Sequence, residues 1–207
     1  MKRLLQHFVK DKASIFGRRF SLCIFGKRIS MLLTIEKWFD KISHVIGHLC
    51  SGLMLVMMLN IFYDVFMRYL FKSGSIALQE MEWHLFSVII LLGTSYALME
   101  DSHVRVDVLY AKFSDKKKAL VNIFGAIVFM MPIALLVALS SVGFVMEAFT
   151  SNEISSDPGG LTHRWILKAL IPFSFWLLIF MTLGFIIKNI NIYRGVTKAY
   201  FRKQEEL

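Results

Sequence analysis

The stretch from Gln79 to Tyr110 decides the fold. It opens with the polar block Gln79-Glu80-Met81-Glu82-Trp83-His84 and continues as an apolar run to Met99. It closes with a second polar block, Glu100-Asp101-Ser102-His103-Val104-Arg105-Val106-Asp107-Val108-Leu109-Tyr110. An apolar run between two compact polar blocks predicts a membrane-spanning helix whose ends have roles of their own.

The composition of the whole chain also indicates a membrane protein. Of 207 residues, 56% are hydrophobic and 14% aromatic, and the charges lie in blocks between long uncharged runs. This is too apolar for a soluble domain of this size. The formal net charge of +9 would suit nucleic acid, but most basic residues flank apolar runs, so no nucleic-acid partner is expected. Cys23 and Cys50 lack a CxxC partner, so no disulfide framework is indicated.

Four apolar runs predict an all-α integral membrane four-helix bundle. Since about 20 residues cross the hydrocarbon, and fewer suffice when the ends are amphipathic, each run can form one span. The predicted spans are residues 45–70, 83–99, 120–149 and 165–190. They define a membrane domain at 43–190, between a basic segment at 1–42 and a tail at 191–207. Pro132 and Pro172 predict kinks in the last two spans, and Asp157-Pro158-Gly159-Gly160 predicts a turn between them.

The basic residues predict the orientation. Ten lie in residues 1–42, five in 100–118 and five from Lys188 onward, against four in the other two connections. Cytoplasmic segments carry such an excess, so both termini and the 100–118 connection are expected in the cytoplasm. Gln79 to His84 would then lie at the periplasmic end of the second span, and His103 to Asp107 beyond its inner end.

Residues 1–42 are expected to remain attached as a cytoplasmic or interfacial segment. A cleaved signal peptide needs a continuous apolar stretch, which the charges at Arg18, Arg19, Lys27 and Arg28 interrupt. The apolar spacing from Ile29 to Phe39 is helical and predicts an amphipathic helix on the anionic membrane surface. A solvated basic tail is the alternative.

Polar residues within the spans predict anchors between helices. Asp64 and Arg68 are four residues apart, acid first, and can pair. A mildly polar stripe on the second span should face protein, because lipid offers no hydrogen-bond partners; it comprises Glu80, His84, Ser87, Leu91, Thr94, Ser95 and Leu98. Gly93, on the opposite face, would permit close approach of another helix.

Several function classes find little support in the residues. The histidines of the spans do not lie on facing helices at one depth, as bis-histidine haem ligation requires, and no phosphate-binding glycine loop or hydrolytic triad is present. The predicted midplane is apolar and the two halves show no repeat, so a solute path through this chain alone is not evident. A scaffold for a larger membrane protein fits best. A redox membrane anchor binding haem or quinone and a small autonomous channel or carrier are the alternatives.

Four sequence motifs together resemble the small membrane subunit of tripartite ATP-independent periplasmic (TRAP) transporters. They cover about a fifth of the chain, from Asp64 to Leu109, and a weaker fifth motif, Ile171-Pro172-Phe173-Ser174-Phe175-Trp176, agrees. The four are Asp64-Val65-Phe66-Met67-Arg68-Tyr69-Leu70-Phe71, Gln79-Glu80-Met81-Glu82-Trp83-His84-Leu85-Phe86, Leu92-Gly93-Thr94-Ser95-Tyr96-Ala97-Leu98 and His103-Val104-Arg105-Val106-Asp107-Val108-Leu109.

The resemblance implies a non-enzymatic subunit of a sodium-coupled secondary transporter in the bacterial inner membrane. A periplasmic binding protein would deliver a small organic acid to a large elevator-type subunit, which would hold the sodium and substrate sites, while this chain would pack beside it in the lipid. No cofactor is expected in this chain. Arg68, Glu80, Gly93, His103 and Asp107 occupy recurrent family positions. The candidate residues for helix anchoring or subunit contact are Asp64, Arg68, Glu80, Glu82, His84, Gly93, His103, Arg105 and Asp107.

Overall fold

The computed structural model describes the backbone of residues 2–100, 110 and 113–195, and the side chains of 31–100, 110 and 113–195. All regular structure in these residues is helical. The elements are α1 (Lys2–Leu70), α2 (Ile76–Met99), α3 (Asp115–Gly125), a π-helical segment (Ala126–Met130), α4 (Met131–Thr150) and α5 (Arg164–Tyr193). Four stretches are long and apolar enough to cross a membrane: Met31–Leu70, Ile76–Met99, Asp115–Thr150 and Arg164–Tyr193. The prediction of an all-helical chain with four helices long and apolar enough to span a membrane is thus confirmed, and the orientation stays a prediction.

Helix α5 is the centre of the bundle, since it contacts every other helix. Its buried side chains include Leu178, Met181 and Phe185, which join a core contributed by all four candidate spans. Helix α1 packs along α2 and against part of α5, and α4 packs against α5. Pro172 lies inside α5, which is helical throughout. The fold therefore places α5 where it can fasten its neighbours at both ends.

Helix α1 contacts the bundle along one narrow seam. Between Ser43 and Met67 every side chain off this seam is exposed, apart from the seam neighbour Gly47. The spacing alternates between three and four residues, which is the heptad pattern of helices that supercoil around one another. The seam residues are Glu36, Phe39, Ser43, Ile46, Cys50, Leu53, Met57, Asn60, Asp64 and Met67.

The third span packs on α5 through small residues. Ala119, Ala126, Ala134 and Ala148 are all buried, and small side chains let helix backbones approach closely in a membrane. The spacing from Ala119 to Ala126 is seven residues, whereas that from Ala126 to Ala134 is eight. The π-helical segment lies in this interval and accommodates the extra residue, just before Pro132. The distortion predicted at Pro132 is therefore present, and it keeps both halves of the span facing α5.

The amphipathic stretch from Ile29 to Phe39 is continuous with the first span in α1. The stretch is not a separate helix, and its described side chains pack into the bundle: Phe39 lies in the core cluster and Ile35 packs against that cluster, as does Ile42 just after the stretch. Phe39 contacts the ring of Phe180 on α5 at a centroid distance of 4.9 Å. The helical periodicity was informative because it marks the face that packs on α5. An interfacial position for this stretch stays a prediction.

Candidate anchoring sites at the two ends of the bundle

Glu80 fastens the connection between α4 and α5 to the first turns of α2. The Ser155 hydroxyl and the Leu161 backbone N–H both donate to its carboxylate, the latter at 2.5 Å. Gly160 lies so close that a Cβ there would come within 2.8 Å of Glu80 Oε2. One carboxylate thus holds two points of a loop more than 70 residues away in sequence.

The loop that Glu80 holds contains the turn predicted at Asp157-Pro158-Gly159-Gly160. The Gly160 N–H donates to Asp157 O at 3.0 Å. Gly159 has φ of +85°, which suits glycine at the third position of a type II turn following proline. The turn brings Leu161 back toward Glu80.

Lys168 provides a second fastening of the same loop. Its ammonium pairs with Glu153 and lies 3.9 Å from the ring centroid of Phe144 on α4. The Arg164 N–H also donates to Glu153 O at 3.2 Å. This group of contacts was not predicted from the sequence, since no local pattern relates Glu153 to Lys168. The sequence signal was limited to an acid early in the loop and a base one turn into the following helix.

The predicted pair of Asp64 and Arg68 is present near the end of α1. Asp64 is buried, at 1% exposure, whereas the Arg68 side chain is 45% exposed. Asp64 Oδ2 accepts from Arg68, while Oδ1 has no hydrogen-bond partner in the described part of the chain. One turn earlier, Asn60 Nδ2 donates to Leu78 O at 3.0 Å, which fixes the start of α2 against α1.

The remaining polar residues of the α2 stripe divide into two groups. Ser95 is buried, whereas Ser87 and Thr94 donate to carbonyls one turn earlier in their own helix, at 2.7 and 2.8 Å. A hydroxyl satisfied in this way needs no partner from another helix. Ser87 and Thr94 therefore do not depend on a neighbouring helix for a hydrogen bond, and a contact of this part of the stripe with another subunit stays a prediction.

His84 and Glu82 contribute less to the described bundle than Glu80. His84 Nδ1 lies 2.7 Å from Glu80 O, so its hydrogen bond stays within α2. Glu82 is half-buried and has no hydrogen bond or ion pair with any described residue. Subunit contact through Glu82 or His84 stays a prediction.

Gly93 does not mark the tightest helix contact. A Cβ there would lie 4.0 Å from Cys50 Sγ, which is ordinary van der Waals contact. A Cβ at Gly47 would come within 2.7 Å of the Tyr96 ring, and one at Gly184 would overlap the Phe39 ring. The two closest crossings in the described bundle are therefore at glycines that the sequence did not single out, and a role for Gly93 in subunit contact stays a prediction.

The opposite end of the bundle has its own polar network. Asn191 Nδ2 donates to Glu36 Oε2 at 2.6 Å, and both residues are buried. Lys188 Nζ donates to Asp40 Oδ1 at 3.3 Å and to Met99 O at 3.2 Å, so this residue of α5 joins α1 and the end of α2. The predicted inner residues His103, Arg105 and Asp107 lie outside the described residues.

The third span joins this network through paired amides. Asn122 Nδ2 donates to Asn189 Oδ1 at 2.8 Å, and the Tyr110 hydroxyl donates to Asn122 Oδ1 at 3.1 Å. Asn189 in turn donates to Phe185 O within α5. The described polar side chains thus fasten all four candidate spans together, and none of these contacts was predicted from the sequence.

Comparison with known proteins agrees with the resemblance seen in the motifs. A family model described as "Tripartite ATP-independent periplasmic transporters, DctQ component" matches residues 57–191. The chain is also 28% identical over 122 residues to a Haemophilus influenzae protein that carries the name TRAP transporter small permease protein. That match covers 59% of this chain and 76% of the relative. With a family match over well more than half of its length, and four helices able to span a membrane, the chain belongs to the family of TRAP transporter small membrane components.

Proposed function

We propose that this chain is the rigid scaffold subunit of a sodium-coupled, binding-protein-dependent secondary transporter that imports a small organic acid. The observation that carries the proposal is the location of the polar side chains that connect one helix to another. Most of those in contact between helices lie near the two ends and join one helix or loop to another, while the span centres are largely apolar. Such an arrangement stiffens a bundle and leaves substrate handling to a partner.

The partner subunit would be a large elevator-type membrane protein that carries the sodium and substrate sites. Support comes from α1, which buries one seam and exposes large apolar side chains around the rest of its circumference, among them Met58, Phe62 and Val65. In a membrane this surface suits lipid or another apolar helix. The family membership supports a tripartite assembly, with the chain spanning the bacterial inner membrane and both termini in the cytoplasm.

A periplasmic binding protein would dock at the end that holds Glu80 and Glu82. Both oxygens of Glu80 are already engaged by the α4–α5 loop, so Glu80 would act by holding that loop in place. Glu82, which has no described partner, is the better candidate for a direct electrostatic contact. The two carboxylates would therefore serve different purposes although they are two residues apart.

Reconstitution tests the scaffold role directly. Proteoliposomes containing the large subunit, with and without this chain, would be supplied with the loaded binding protein and a sodium gradient. We expect uptake to fall to the background level without this chain, at equal incorporation of the large subunit. Undiminished uptake would remove the scaffold role. Uptake by this chain alone would instead support an autonomous carrier.

A further inference from the structure

A cavity of about 250 Å³ opens where α2 ends, α3 begins and α5 ends. Its apolar wall includes Met99, Phe185 and Ile192, while its polar lining includes Lys118 and Lys188. All of these residues belong to the described part of the chain, and the cavity lies at the end of the candidate spans. It therefore combines an apolar wall with two ammonium groups at the depth where a span meets its polar surroundings.

The two lysines differ in how many hydrogen-bond and ion-pair partners they have in the bundle. Lys118 has no ion pair or side-chain hydrogen bond with a described residue, and its ammonium lies 5.3 Å from the ring centroid of Tyr110. Lys188 Nζ donates to Asp40 and Met99, so at least one of its three donors is left for a ligand. Asp40 and the nearby Glu36 both offset the charge of Lys188, so the uncompensated positive charge of the cavity rests mainly on Lys118.

The amides between the lysines hold the cavity open. Asn122 and Asn189 both line it and are bonded to each other, and Tyr110 is bonded to Asn122. The hydrogen bond between Asn122 and Asn189 joins α3 to α5 within the lining of the cavity. An anion entering it would meet a preformed site, and little side-chain ordering would oppose binding.

We propose that this cavity binds the phosphate headgroup of an anionic phospholipid. Basic pockets between membrane helices take such headgroups, and phosphate accepts hydrogen bonds from ammonium donors. The position at the end of the candidate spans favours a lipid over a soluble anion, because glycerol and the first methylenes of an acyl chain can lie against Ile192, which is partly exposed. The site goes beyond the scaffold role, since it would secure the inner ends of α2, α3 and α5 through a lipid.

Lipid retention in the purified chain tests the proposal with a matched pair of variants. The delipidated full chain in detergent would be titrated with phosphatidylglycerol or phosphatidylcholine, and bound lipid counted by native mass spectrometry. Lys118→Gln removes a cavity lysine, and Lys116→Gln removes an exposed lysine two residues earlier that does not line the cavity. We expect preferential retention of phosphatidylglycerol to fall about fivefold in Lys118→Gln, since one basic residue contributes about 1 kcal/mol to anionic lipid binding. Lys116→Gln should retain it within about twofold.

A second variant distinguishes the effect of the cavity's shape from the effect of its charge. Ile192→Trp adds bulk to the wall without changing net charge, and it should also lower phosphatidylglycerol retention while the chain still elutes as a monodisperse species. Equal losses in Lys118→Gln and Lys116→Gln would overturn the proposal in favour of diffuse surface attraction. If inorganic phosphate displaced bound phosphatidylglycerol at equal concentration, the site would be an anion site and the lipid assignment would be overturned. Weaker co-purification of Lys118→Gln with the large subunit, at unchanged lipid retention, would assign the cavity to a protein partner instead.

Discussion

Glu80 and Glu82 lie on the same turn of α2, yet only Glu80 reaches another element of the described bundle. Residue type and spacing could not distinguish them, because the loop that Glu80 holds begins about 70 residues later. The Asp64 and Arg68 pair was predictable, since residues four apart on a helix are neighbours whatever the rest of the chain does. Contacts between residues one helical turn apart could thus be predicted from the sequence, whereas contacts between distant segments could not.

Exchanging each carboxylate for its amide should separate the two roles. Glu80→Gln replaces an acceptor of two hydrogen bonds by a group with one acceptor oxygen, so we expect the Leu161 amide to exchange hydrogen on the order of tenfold faster. Glu82→Gln should leave that exchange unchanged and weaken binding-protein docking alone. Hydrogen exchange followed by mass spectrometry over residues 151–163 provides the measurement. Identical protection in both variants would show that Glu80 does not hold the loop.

At the scale of the elements, the close crossings of helices depend on two glycines that no motif marked. Gly184 lies against Phe39 and Gly47 against Tyr96, whereas Gly93, which belongs to a motif, has room for a methyl group. A glycine in an apolar run is informative only when the facing side chain is known. The heptad seam of α1 was hidden for a related reason, because apolar residues surround that helix on all sides.

Alanine substitutions at two glycines would test the crossing of α1 and α5. Gly184→Ala forces Phe39 to move, and overpacking of this kind typically costs about 1–3 kcal/mol. Gly93→Ala should be neutral or slightly stabilising, because alanine has the higher helix propensity and the site has space. Reversible unfolding in mixed micelles would give both free energies of unfolding. If the Gly184→Ala variant were as stable as Gly93→Ala, α1 and α5 would have to be farther apart than the contact between Gly184 and Phe39 indicates.

At the scale of the whole molecule, α1 joins the bundle over a greater length than the predicted span at 45–70. Glu36 and Phe39 lie before the predicted domain boundary at residue 42 and before the family match at residue 57, yet both are buried against other helices. The first candidate span therefore begins earlier than the apolar run alone indicated, at Met31. Charges at Glu36, Lys37, Asp40 and Lys41 concealed this earlier start.

Two truncations would show where the folded unit begins. A chain starting at residue 31 keeps every described side-chain contact, so its thermal midpoint should stay within about 2 °C of the full chain. A chain starting at residue 43 loses Glu36, Phe39 and Asp40. It should melt roughly 5–10 °C lower, because removing a buried phenylalanine alone typically costs about 3–5 kcal/mol. Thermal unfolding monitored by size-exclusion chromatography would compare them, and equal midpoints would place the boundary at 43.

The sequence by itself determined the number and approximate positions of the spans, the helical class, the turn at residues 157–160 and the family. Each rests on contiguous residues: hydrocarbon demands an unbroken apolar run, proline and glycine set local dihedral angles, and motifs are local strings. Only the tertiary structure decided which helix is central, which face of α1 is buried and which polar groups pair across the ends. Lipid is as apolar as the interior of the bundle, so large apolar side chains fall on both buried and exposed faces and hydrophobicity alone does not separate the two. Pairs such as Glu36 with Asn191 join positions 155 residues apart, and only the packing of the helices brings them together.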